Sequence, residues 1–222
     1  MVKAKEREVE KSRSALRRLR EKEQRYNTIL KAAETLFARQ GYHGTSLEEI
    51  ADMAEVSTGA VYFYFKNKED LLIKLMQEIG LFLREWLGAE LEKNDLTIDG
   101  FSNIARAFLH DFCGTYPEKI AIFFRESVGQ SREVEEQRKD MFERLTSEIK
   151  AVLLGIGRRL GREFVSETAP EVMAVCVVGL YERVACHYVL WPEQSLNLDS
   201  IVEETVSFMR GGILNLLSQS GA

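Results

Sequence analysis

Apolar residues recur at helical spacing along most of this 222-residue chain, and no run of strict apolar–polar alternation interrupts them. The sharpest pattern lies at residues 45–72. Leu47, Ile50, Ala51 and Ala54 fall at i, i+3, i+4 and i+7, one face of a short helix. Ser46 with Glu49, or Thr45 with Glu48, offers a capping box to start it. Ser57 suits the N-cap of a second helix, in which residues 58–65 carry no charge. Val61 and Phe65, four apart, can face a core, leaving Thr58, Gly59, Ala60, Tyr62 and Tyr64 for the other faces. Asn67 can cap a third helix, with Glu69 and Asp70 in its dipole-favoured first turn.

Downstream, the spacing predicts helices over 67–93, 97–114 with Thr97 as cap, a short one from Pro117, and a long charged one over 132–161. Thr168, Pro170 and Glu171 read as a T-x-x-E box with proline in the first turn, and the loop at Trp191–Pro192 ends that helix. Asn197 or Asp199 starts the last one. Residues 172–181 hold no charge, and Val202, Val206, Met209, Ile213 and Leu216 form a continuous stripe. So apolar a final pair calls for a partner, and Gly179, Gly211 and Gly212 permit close helix contact. The glycines Gly155, Gly157 and Gly161 sit in a helical stretch and suit close packing better than a phosphate loop. At the start of the chain no Gly or Pro precedes Gly41, and Val2, Val9, Leu16, Leu19 and Tyr26 trace a thin apolar stripe, compatible with a helix that runs into the first helix of the motif. The fold class is therefore all-α.

Charge and cysteine content narrow the class. The chain carries −5 overall, but residues 1–72 hold 14 Lys or Arg against 12 Asp or Glu, and the rest is acidic. A mildly basic head on an acidic body directs the head toward DNA. Residues 1–25 contain ten Lys or Arg and five Glu; they are either a solvated helix or, through Arg13, Arg17, Arg18 and Arg20, an added phosphate or minor-groove contact. Cys113, Cys176 and Cys186 lack metal or redox spacing and read as buried thiols of a reducing cytoplasm. No uncharged stretch is long enough to span a membrane, and the charged N-terminus does not read as a signal peptide.

The string AEVSTGAVYFYFKNKEDLL, with ILKAAETLFARQGYHGTS upstream, resembles the DNA-binding motif of the TetR (tetracycline-repressor-like) family of bacterial regulators. One position departs: the turn between the two motif helices carries Glu55, where that family usually has Gly. The resemblance implies an N-terminal three-helix helix-turn-helix domain and a C-terminal helical domain for ligand binding and dimerisation. The divisions expected are a basic extension over 1–24, the DNA-binding domain over 25–72 and the body over 73–222. It further implies that Thr45, Tyr62, Tyr64 and Lys68 hold phosphates, that Thr58, Gly59 and Ala60 lie nearest the base edges, and that Ser57, the cap of that helix, belongs to the DNA-binding set. Hydroxyls and Lys suit phosphates, and small residues with methyls suit the groove floor. No Arg, Asn or Gln occupies this helix, so strong bidentate base readout is not available from it.

By the same analogy Trp86, Phe108, Phe112, Phe124, Arg125, Phe142 and Tyr181 would line a pocket for a small hydrophobic or amphipathic effector, and the last two helices would form a homodimer on a palindromic site in double-stranded DNA. Each large apolar residue has an ordinary core role as its alternative. No nucleophile elbow, P-loop, zincin motif or dinucleotide fingerprint is present, so no enzyme is expected. His110 and Cys113, at i and i+3, are too few for a metal, and no cofactor is expected. The reading is a cytoplasmic DNA-binding transcriptional regulator, a repressor by default, released by its effector; the alternative is an effector-independent architectural or adaptor DNA-binding protein.

Overall fold

The computed structural model describes residues 2–191 and 197–217, without the side chains of 2–12 and 189. Val2, Val9 and Pro192 of the expectations above therefore lie outside the described residues or side chains. The chain divides into two compact units, Met1–Leu75 and Met76–Ala222. The division falls a few residues past the expected 72/73, inside a helix that starts in one unit and ends in the other.

The first unit, the head, contains α1 (Val2–Gln40), α2 (Leu47–Met53), α3 (Thr58–Tyr64) and the start of α4 (Lys68–Lys93). Helix α1 runs unbroken through the expected extension boundary at 24/25. Ile29, Phe37, Ile50, Val61, Phe65 and Leu71 are buried together, each contributing on the order of 1.5–3 kcal/mol of apolar transfer. The capping box forms in the Ser46 register: the Ser46 side chain accepts from Glu49 N at 3.2 Å and Ser46 N donates to the Glu49 carboxylate at 2.8 Å. The α2–α3 turn is a Schellman closure, with Val56 N donating to Ala51 O at 3.0 Å and Glu55 N to Asp52 O at 3.1 Å. That geometry requires a left-handed residue, and Glu55 supplies it at φ 54°. The departure noted in the sequence is thus a non-glycine residue held in a glycine conformation.

The second unit, the body, contains the rest of α4, then α5 (Ile98–Ala107), α6 (Cys113–Thr115), α7 (Pro117–Ala121), α8 (Arg132–Leu160), α9 (Ala169–Ala185) and α10 (Leu198–Leu216). Three wide π-helical turns, Phe108–Phe112, Ile122–Glu126 and Cys186–Leu190, extend α5, α7 and α9. Thr97, Ser131 and Asn197 cap α5, α8 and α10 with their side chains. Helix α8 lies along α9, and α10 packs on α5 and α9. Gly155 lets Leu96 approach so closely that a Cβ would meet its Cδ2 at 2.5 Å, and Gly161 ends α8 at φ 64°. Arg106 grips Glu203 with two bonds of 2.6 and 2.9 Å, Arg210 pairs with Asp99, and His110 lies 3.4 Å from Asp199, so a polar ladder fastens α10 to α5 and its π turn.

Three expectations are corrected. Thr168 does not close a capping box: its backbone is helical, its hydroxyl pairs with Ser166 at 3.2 Å, and Glu171 is drawn 2.7 Å from Lys150 instead. Cys176 is exposed, while Cys113 and Cys186 are buried. Val202, Val206, Met209 and Ile213 pack inward, so the surface of the last two helices that lacks a partner is a different stripe: Val172, Val175, Cys176 and Gly179 on α9 with Phe208 and Gly211 on α10.

Two outcomes are expected. Glu55→Gly removes the left-handed strain and raises the unfolding free energy by about 0.5–1 kcal/mol in a urea titration, whereas glycine at an ordinary exposed helical site lowers it; a fall at this position would show that no strain is held there. Burial pushes the Cys113 thiol up to about 12, so a thiolate-selective reagent at mildly alkaline pH leaves Cys113 unmodified until the protein is denatured.

Candidate nucleic-acid interface and interior cavity

Helix α3 is anchored by one face and open on the other. Val61 and the capping Phe65 are buried, and Ser57 opens the helix by accepting from Ala60 N at 3.2 Å. On the outer side Tyr62 is 54% exposed and Phe63 71%. Gly59 is exposed, with only Ser57 Oγ within 4 Å of where a Cβ would lie. Thr58 and Ala60 are half-buried at its edges. Burying Val61 and Phe65 turns residue 63 outward, so Phe63 was legible from the same period that assigned the core.

The expected phosphate-holding residues divide in two. Tyr62 is exposed; Ser57, expected as the helix cap and not as a phosphate holder, can still donate its hydroxyl proton while accepting the capping bond. The other three are engaged inside the head. Thr45 is 2% exposed and donates to Gly41 O at 2.8 Å. Tyr64 donates to Lys22 O of α1 at 3.2 Å, and its ring meets Tyr26 edge-on. Lys68 Nζ donates to Tyr42 O at 2.7 Å and Thr45 O at 2.8 Å and lies 4.4 Å from the Tyr42 ring centroid. Burial lowers the Lys68 pKa, and Glu49 opposes that shift. Lys68 thus closes the α1–α2 loop with two of its three donors, leaving one for an outside acceptor.

The body holds a partly open apolar cavity of about 90 Å³. Leu83 and Leu87 of α4, Phe101 and Ile104 of α5, Leu145 of α8 and Val177 of α9 supply most of its wall. Of the seven residues named from the sequence, Phe108, Phe124 and Tyr181 line it. Phe112 and Trp86 instead form an aromatic cluster with Phe82 and Tyr116, centroids 4.9–5.8 Å apart. Phe142 packs on Phe123 and Phe124 under the Arg138 guanidinium, and Arg125 bonds Glu126 at 2.6 Å. Two hollows of about 280 Å³ adjoin the cavity across shared walls at Leu83, Leu87 and Leu145; Arg84 lines both and Arg144 one of them.

Two polar groups belong to the cavity wall. The Tyr181 hydroxyl is buried without a hydrogen-bond partner among the described residues, and burial raises its pKa far above that of a free phenol. Burial also lifts the Glu182 carboxyl above the ordinary carboxylate range, while Arg138 opposes the rise. Among the described residues no cluster of three His, Cys, Asp or Glu could hold a metal, and no helix is long and apolar enough to cross a membrane.

A capped helix-turn-helix with an uncharged exposed second helix, in a chain whose body is helical, defines the helix-turn-helix class of DNA-binding proteins. Residues 29–75 match the model of the bacterial regulatory proteins of the tetR family. The fatty acid metabolism regulator protein of Bacillus subtilis is 42% identical over 66 residues, 29% of this chain and 34% of that protein, so the alignment spans about a third of the relative's length. The transcriptional regulator FadR of Bacillus subtilis, solved with stearoyl-CoA, superposes with a TM-score of 0.72 at 20% identity, covering 84% of this chain and 98% of the other. AibR, solved with isovaleryl coenzyme A and operator DNA, superposes at 0.66 with 19% identity over 83% and 97%. The two structures establish the likeness of fold, and residues 29–75 carry the motif of the bacterial regulatory proteins of the tetR family.

Removing the unpartnered hydroxyl is expected to stabilise the body. Tyr181→Phe should raise the unfolding free energy by about 1 kcal/mol, because a buried unsatisfied donor is relieved at constant shape; a loss of that size in a urea titration would mean that the hydroxyl is paired in solution.

Proposed function

We propose that this chain is a dimeric transcriptional repressor that holds a palindromic operator through α3 and is released by a small amphipathic effector of the acyl-CoA kind. The observation that carries the effector is the interior cavity: an almost wholly apolar wall whose adjoining hollows are lined by Arg84, and in one of them also by Arg144. Such a site suits an apolar chain with an anionic head. The coenzyme A thioesters in FadR and AibR are ligands of that shape. On the DNA side, Gly59 with Thr58 and Ala60 would meet the groove floor, and Tyr62 and Ser57 would hold phosphates. Thr45, Tyr64 and Lys68 would then serve chiefly by fixing the loop and helix that carry those contacts.

Dimerisation is supported by the unpartnered stripe on α9 and α10, where Phe208 is 75% exposed beside Gly211, Val172, Val175 and Gly179. A two-fold axis through this surface would present two α3 helices to two half-sites. An effector that favours the body conformation unsuited to DNA would lower operator affinity by its differential affinity for the two states. Repression follows from occupancy, since a protein seated on a promoter obstructs polymerase.

The test is selection of bound sequences from a random duplex pool, followed by release with isovaleryl-CoA and stearoyl-CoA. A palindrome with half-sites about one helical turn apart, released by either thioester, is the expected result. A palindrome that neither thioester affects would remove the proposed effector class, and enrichment of nothing beyond salt-sensitive background would remove the operator. Gly59→Ala supplies a finer check: the open space at its Cβ and the helix propensity of Ala, about 1 kcal/mol better, leave the fold intact or stabilised, while operator affinity falls. Unchanged affinity would take Gly59 off the groove floor.

A further inference from the structure

Arg18, Lys22 and Arg25 stand at i, i+4 and i+7 on α1, one face of the helix, and all three are exposed. The row begins beside the reading helix. Lys22 Nζ lies 5.6 Å from the centroid of the exposed Phe63 ring, and Lys22 O accepts from Tyr64 at 3.2 Å. One turn further along, Tyr26 stacks on Phe65 at 5.3 Å. These contacts fix the α1 backbone against the C-terminal end of α3, so the row has a defined place in the head.

Among the described residues no carboxylate pairs with Arg18, Lys22 or Arg25; Glu21, whose charge is felt by Arg25 and Arg18, is bonded to Arg17 at 2.7 Å. Residues 13–25 hold six Lys or Arg against two Glu. The match to the tetR-family motif requires none of this, because that match starts only at residue 29.

We infer that the Arg18–Lys22–Arg25 face of α1 is a second DNA contact, a row of phosphate-binding cations that continues the footprint of α3 along the backbone. The inference rests on the DNA-binding reading above and goes beyond it by assigning a role to the segment that precedes the motif. The partner is duplex DNA because the row abuts the exposed face of the helix that enters the groove. Long cationic side chains without carboxylate partners suit phosphates, which demand charge but no base-specific geometry.

The experiment measures binding of the full chain to a random-sequence duplex by fluorescence anisotropy, with potassium chloride raised from about 50 to 200 mM. The variant Arg18→Ala/Lys22→Ala/Arg25→Ala is compared with Arg13→Ala/Arg20→Ala, which removes charge from another flank of the same helix. Alanine preserves the helix, and far-UV circular dichroism with a thermal melt verifies it. The first variant is expected to flatten the log–log salt slope by about 0.9 for each phosphate it no longer neutralises, so by about 2–3, and the second to leave it nearly unchanged. An unchanged slope in the first variant overturns the inference and leaves the DNA-binding reading standing. Equal flattening in both variants also overturns it, because net charge rather than this face would then be responsible. Failure of the unaltered chain to bind DNA overturns the inference and the reading together.

Discussion

The head depends on burying two side chains four residues apart. Val61 and Phe65 are almost wholly enclosed, and Phe65 is stacked on Tyr26 of α1. With only seven residues, α3 could not persist alone in water, since a helix this short does not recover its nucleation cost. Its stability comes from that buried face and from the Ser57 cap. The same constraint leaves Gly59, Tyr62 and Phe63 outside, because a helix with one face in a core must show its other face to solvent.

Lys68 illustrates how a head of this size is held. In the sequence it is a cation near an exposed aromatic helix, which suggests a phosphate donor. In the structure its ammonium caps two loop carbonyls and lies over the Tyr42 ring. The loop between α1 and α2 is thereby closed from α4, residues that are neighbours only after folding. Thr45 and Tyr64 behave alike, donating their hydroxyls to the Gly41 and Lys22 carbonyls. The side chains that meet solvent on α3 are thus supported by an inner layer of polar residues whose work is structural.

What was legible in the sequence follows from the range of the interactions. Helix starts set by a neighbouring side chain, such as Ser46, Ser57 and Thr97, are written within four residues and could be read directly. Thr168 carried the same signature, yet Ser166 and Lys150 competed for its partners, and only the fold brings Lys150 there. The body was legible as helices but not as a cavity. Phe108, Phe124 and Tyr181 reach it, whereas Phe112, Phe142 and Trp86 join aromatic clusters nearby, and residue type does not separate the two sets. The π turns add to the difficulty, since each changes the helical register by about one residue, so a period read on one side does not carry across. The outward stripe of α10 was hidden for a related reason: its inward residues are the more regular apolar series, and Phe208 stands outside that series.

The cavity gives the body a deficit that a ligand can make good. Space closed to solvent forfeits dispersion contacts along its lining, on the order of 24 cal/mol per Å³, so a cavity of about 90 Å³ sets an upper bound of roughly 2 kcal/mol. The unpartnered Tyr181 hydroxyl adds a further cost of about 1–3 kcal/mol. An occupant with an apolar body and one hydrogen-bonding group would recover both terms, and a body that gains this much on binding is biased toward whichever conformation holds the occupant best. Helix α4 carries residues of the head core at one end and Leu83 and Leu87 of the cavity wall farther along the same hydrogen-bonded rod. Under the proposed function, coupling an interior ligand to DNA affinity needs an element with residues in both units, and α4 is such an element.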